Sequence, residues 1–110
     1  MGVFKSISSQ RLINGNLVES SESAIVTNSS YTTNGEYTIV TKDIESCEIF
    51  LNEKTTDHIV IKSLTYTIVR SSKLIDEEFS EVELEKGSCV EFKFVGENWY
   101  ILSSDGLKGS

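Results

Sequence analysis

The stretch GSCVEFKFVGENWYILS, Gly87–Ser103, decides how the rest of the chain is read. Apolar and polar residues alternate from Cys89 to Phe94, the mark of a strand with one buried face. Gly96-Glu97 interrupts the pattern, and apolar residues resume at Trp99. A two-residue turn there sets Phe94 against Trp99, Phe92 against Ile101 and Val90 against Ser103. Val90, Phe92, Phe94, Trp99 and Ile101 then share one face. A three-residue turn would set Lys93 against Ile101 and split that set. Since a slip of one residue sends every side chain of a strand to the other face, the two-residue turn is the consistent solution. It makes Trp99, the single tryptophan, a core aromatic facing Phe94. Lys93 and Tyr100 fall on the opposite face as candidate exposed contact residues.

Working outward, the pattern is β almost throughout. CEIFL (47–51), HIVIK (58–62), TYTIVR (65–70), EVEL (81–84), SCVEFKFV (88–95) and NWYILS (98–103) are short alternating or β-branched runs separated by turn residues. In CEIFL, Phe50 lies opposite Ile49 and Leu51, which marks it for a core or interface position. RLINGNLVE carries an Asn14-Gly15 turn that would pair Leu12 with Leu17. YTTNGEYTIVT carries a second Asn-Gly turn. Many strands at short spacing, with no helix between them, predict an all-β, mainly antiparallel sandwich or barrel. YTIV occurs at Tyr37–Val40 and again at Tyr66–Val69. That repetition points to two stacked β units of roughly 30 residues. The expected organisation is a polar N-terminal segment over residues 1–22, a docking arm with a short hairpin, then one β domain over 23–104 and a flexible tail over 105–110.

Composition excludes several functions. The 110 residues suffice for one ordinary core, and a net charge of −7 repels phosphate backbones, so nucleic acid is not an expected partner. No apolar run approaches the roughly 20 residues of a membrane span, and no secretory leader is visible. The opening MGVFKS fits a myristoylation pattern, but six letters match often by chance. Acid concentrates at Asp76, Glu77, Glu78, Glu81, Glu83, Glu85 and Glu91; it reads as a solvated strand face, with a cation site or a patch for a basic partner as sharper alternatives. Cys47 and Cys89 form no metal or redox motif, and whether they are bridged is left open by the sequence.

No nucleophile-elbow, phosphate-loop, dinucleotide or zinc-protease motif occurs. The one histidine, His58, stands alone and reads as a strand-edge residue. Glu81, Glu83 and Glu85 alternate with Val82 and Leu84 and so project to solvent, where a carboxyl pKa is not tuned for glycoside hydrolysis. The chain is therefore expected not to be an enzyme and to carry no metal or cofactor.

The closing segment, with Gly87-Ser88, an alternating strand, the Gly96-Glu97-Asn98-Trp99 turn and a final apolar strand, resembles that of many bacteriophage tail-fibre and related virion proteins. Tyr37–Val40, Asp43, Ile49–Leu51 and Ile59–Lys62 follow the order of the family's upstream strands, so the likeness covers roughly residues 36–104. Where the family often has proline after the Leu strand, this chain has Asn52. The resemblance implies a virion structural protein, either a tail-associated subunit or a capsid decoration protein. It also implies a homotrimer, contacts with other virion proteins and a host surface glycan as an outside partner. A carbohydrate-binding β module not tied to a virion is the alternative, resting on exposed tyrosine and Asn-rich loops.

Overall fold

The computed structural model describes residues 12–13, 16–17 and 23–108, which form ten strands and no helix. β1 (Leu12–Ile13) and β2 (Asn16–Leu17) make a small hairpin in which Leu12 pairs with Leu17. The rest of the docking-arm expectation lies outside the described residues. β3 (Ser23–Val26), β4 (Ser30–Thr32), β5 (Tyr37–Val40), β6 (Ser46–Phe50), β7 (His58–Ser63), β8 (Tyr66–Ile75), β9 (Phe79–Val95) and β10 (Asn98–Lys108) form one continuous sheet.

That sheet is a stacked coil, a β-solenoid, and not the expected antiparallel sandwich or barrel. β3, β5 and β7 pair in parallel to form one wall. β4, β6 and β8 pair in parallel to form the other. Each strand therefore pairs with the next but one in sequence, and the strand between them is the crossover. Parallel pairing does need a crossover, but here a strand on the opposite wall serves where a helix was taken to be required. Asn34-Gly35 consequently joins β4 to β5 across the coil and makes no hairpin. The YTIV copies lie in β5 and β8, on opposite walls. Tyr37 stacks on Val60 while Tyr66 stacks on Ser46, so the roughly 30-residue unit is not the structural repeat.

β9 closes the coil. Its first part, Phe79–Leu84, pairs antiparallel with β8, and its second part, Ser88–Lys93, pairs antiparallel with β7. EVEL and SCVEFKFV are thus one strand that crosses from wall to wall at Glu85–Gly87. Gly87, at φ 90°, makes that corner, and the Ser88 hydroxyl donates to the Glu85 carbonyl. β10 retraces β9 after the two-residue Gly96-Glu97 turn, in which Gly96 has φ 69°. Trp99 opposes Phe94 and Ile101 opposes Phe92. A register shift at Leu102 then sets Ser103 against Glu91, and Val90 against Ser104 instead of Ser103. Residues 105–108, expected as part of a tail, continue β10 with Leu107 on Leu84 and Lys108 on Glu83.

The walls share one core. Val26, Val40, Ile59 and Ile61 from the first wall meet Cys47, Ile49 and Val69 from the second. The cap, β9 and β10, adds Val82, Leu84, Val90, Phe92 and Trp99 beside Ile75 at the end of β8, with Phe94 and Ile101 partly buried against them. Phe50 lies outside the core, at 36% exposure. At the coil's corners, small hydroxyl residues satisfy backbone groups that the ladders leave over. The Thr33 hydroxyl accepts from the Asn52 amide at 2.9 Å, and the Thr65 hydroxyl donates to the Ile44 carbonyl at 2.8 Å. Ser63 and Thr67 both bond the Thr65 carbonyl.

Trp99 is fully buried, its ring 5.2 Å from that of Phe94, and its indole N–H is unpaired. The packing outweighs the unpaired donor: large-to-small aromatic changes cost about 3–5 kcal/mol, whereas an unmade bond costs about 1–3. Trp99→Ala is therefore expected to lose about 3–5 kcal/mol in urea titrations followed by circular dichroism, with a smaller loss for Trp99→Phe. An unchanged midpoint for the alanine variant would contradict this packing.

Candidate functional site

The alternation that builds the core from one face of β7 and β9 turns the other face outward, and the register decides which charges meet there. His58 opposes Lys93 and Lys93 opposes Tyr100, which makes one row across β7, β9 and β10. The next row holds Tyr37, Val60, Glu91 and Ser103. Glu36 enters just before β5 and is fixed by its carbonyl, which accepts from the Val60 amide at 2.7 Å.

His58 is the centre of this face. Its Nδ1 bonds the Glu36 carboxylate and its Nε2 lies 2.5 Å from Glu91 Oε2. A neutral imidazole has one donor and one acceptor nitrogen. With a carboxylate at each nitrogen, both contacts are hydrogen bonds donated by the ring only when it carries both protons. The bond to Glu91 raises the His58 pKa above its ordinary 6.5; partial burial opposes the rise, and the bond and charge of Glu36 add to it. The same bond, with a second from the Ser103 hydroxyl at 3.1 Å to Oε1, lowers the Glu91 pKa. The register shift at Leu102 is what brings Ser103 beside Glu91.

Chemically this is a clamp across strands. Both ring nitrogens are engaged with carboxylates of the chain itself. The two carboxylates lie on opposite nitrogens, so they do not converge on one cation, and no group of metal-holding side chains occurs among the described residues.

The candidate contact residues lie beside it, already engaged. Lys93 Nζ pairs with Asp57 at 3.2 Å. The Tyr100 hydroxyl donates to Glu77 at 2.7 Å, which raises the phenol's pKa. The acidic loop between β8 and β9 is pinned to β10 as well, since Asp76 Oδ1 accepts from the Ile101 amide at 3.0 Å. On the opposite wall Arg70 joins Glu81 and, at 3.4 Å, Glu48. Glu81 and Glu85 are exposed and Glu83 is half-buried, while Val82 and Leu84 point into the core.

Sequence reasoning missed the clamp. It took His58 for a strand-edge residue, whereas β7 is flanked by β5 and β9. Glu36 stands just before the YTIV run and His58 opens HIVIK. Stacking those two runs in parallel was the signal that would have joined them. No protein-family model matches this chain, and no curated protein matches its sequence.

The cysteines are free and differ in setting. Cys47 is buried in the core, its thiol pKa raised by burial and by the Glu48 charge, while Cys89 is half-buried on β9's outer face. A thiol-specific reagent on native protein is expected to modify Cys89 well before Cys47, and reduction is expected to leave the mass unchanged. Equal labelling rates, or a gain of two hydrogens on reduction, would contradict this placement.

Proposed function

We propose that the chain is a non-enzymatic structural subunit of a virion, tail-fibre-like in its β architecture, that works by assembling with copies of itself as a homotrimer. The observation that carries the reading is an outward apolar patch on the first wall. Ile25 stacks on Ile39 and Tyr37 on Val60, with Ile25 exposed by 48% and Tyr37 by 40%. The outer faces of a monomeric two-walled β protein are ordinarily polar, and a contiguous exposed apolar patch marks an interface. Val95 and Leu102, exposed by 54% and 57%, add apolar surface on the closing hairpin. Closed symmetry is the usual result when a chain covers such a patch with its own copies. The threefold choice rests on the likeness of the Gly96–Trp99 turn and its upstream strands to tail-fibre proteins.

The carbohydrate-module reading gains nothing from Trp99, whose indole is walled into the core, or from Tyr100, whose hydroxyl is bonded to Glu77.

Light scattering on purified protein is expected to give three times the 12.3 kDa chain mass. Tyr37→Lys together with Ile25→Lys is expected to release monomers that melt as folded protein. A monomeric wild type would overturn the assembly claim. Flanking genes for capsid, portal or tail proteins are the expected neighbourhood, and a metabolic gene cluster would overturn the virion assignment.

A further inference from the structure

We propose that the Glu36–His58–Glu91 clamp is a proton-operated latch, which ties the C-terminal cap to the last two coils while the imidazole holds both protons and lets go when it loses one. The geometry supplies each part. Glu36 leads into β5, His58 opens β7 and Glu91 lies in β9, so three adjacent strands meet at one ring. β9 belongs to the cap and the other two to the coil. Loss of one ring proton turns a donor nitrogen into a lone pair facing a carboxylate, so an attraction becomes a repulsion at that contact.

The surroundings leave the ring as the group that switches. From the segment before β7, Asp57 faces the row but is held by Lys93, which is the charged neighbour on β9. From β10, Ser103 donates to Glu91 and Tyr100 is engaged with Glu77. Acid opens the latch by a second route, since protonating Glu91 removes the acceptor.

The sign of the pH effect is set by these two groups. The folded-state pKa of His58 is raised, so its contribution is complete below the ordinary value of 6.5 and is lost as pH rises through the folded value. That of Glu91 is lowered, so its contribution is present above the ordinary value of 4.5 and is lost as pH falls through the folded value. The latch is closed between those limits and opens on both sides.

Because His58 is the only histidine, its ring can be followed without ambiguity in the intact chain. A nitrogen-15 NMR titration is expected to show both ring nitrogens protonated at pH 6.5, with a midpoint above that value. Melting curves of wild type and His58→Gln are expected to differ by several degrees at about pH 5.5, and the gap is expected to close by about pH 9. A merely structural histidine would give a gap that does not change with pH. Glu91→Gln is expected to lower the His58 midpoint, and it decides the matter if His58→Gln fails to fold. A wild-type midpoint at or below 6.5, a pH-independent gap, or an unmoved midpoint in Glu91→Gln would each overturn the latch.

Discussion

One strand, β9, satisfies the edges of two. A parallel coil ends with its last two strands each presenting unpaired amides and carbonyls, a template for aggregation or for another chain. β9 bends at Glu85–Gly87 so that Phe79–Leu84 covers β8 and Ser88–Lys93 covers β7. This reversal from parallel to antiparallel pairing governs the whole C-terminal half of the molecule. It requires the corner at Gly87, it sets Val82, Leu84, Val90 and Phe92 over the end of the core, and it brings Glu91 next to His58. β10 then lies against β9, and Trp99 pairs with Ile75 of β8, which closes the cap back onto the second wall.

Inside and outside obey different physics in this design. The interior gains from apolar area removed from water, on the order of 1.5–3 kcal/mol for each fully buried large side chain. The outer faces hold laddered ion pairs, Glu36–His58–Glu91 on one wall and Glu48–Arg70–Glu81 on the other. Exposed pairs of the Arg70 kind are worth little individually. Their use is registration, because each spans strands stacked in the coil and is broken by a slip of one coil along the next. The corners add a third element, with Thr33, Ser63, Thr65 and Thr67 supplying hydroxyls where the backbone leaves its ladders.

What was legible in the sequence was local. The alternation in HIVIK and CVEFKF named the buried faces, and Gly96-Glu97 fixed the turn, because each signal is read within a few residues. What was hidden was the choice of partner. Alternation says which side of a strand is buried but not whether its neighbour is the next strand or the next but one. Missing helices were taken to exclude parallel pairing, and a coil that uses strands as its own crossovers evades that inference. The bulge at Leu102 was hidden for a similar reason: it adds a residue without disturbing the apolar pattern before it. The clamp was out of reach because Glu36, His58 and Glu91 are far apart in sequence and meet only in the parallel-then-antiparallel order.

Nuclear Overhauser contacts between backbone protons test that order most directly. The stacked coil predicts parallel-type contacts linking Thr38 with Ile61 and Cys47 with Thr67, then antiparallel-type contacts linking Ile61 with Val90 and Thr67 with Leu84. Close α-proton pairs between Tyr37–Val40 and Ser46–Phe50, the pattern of an antiparallel hairpin, would contradict it.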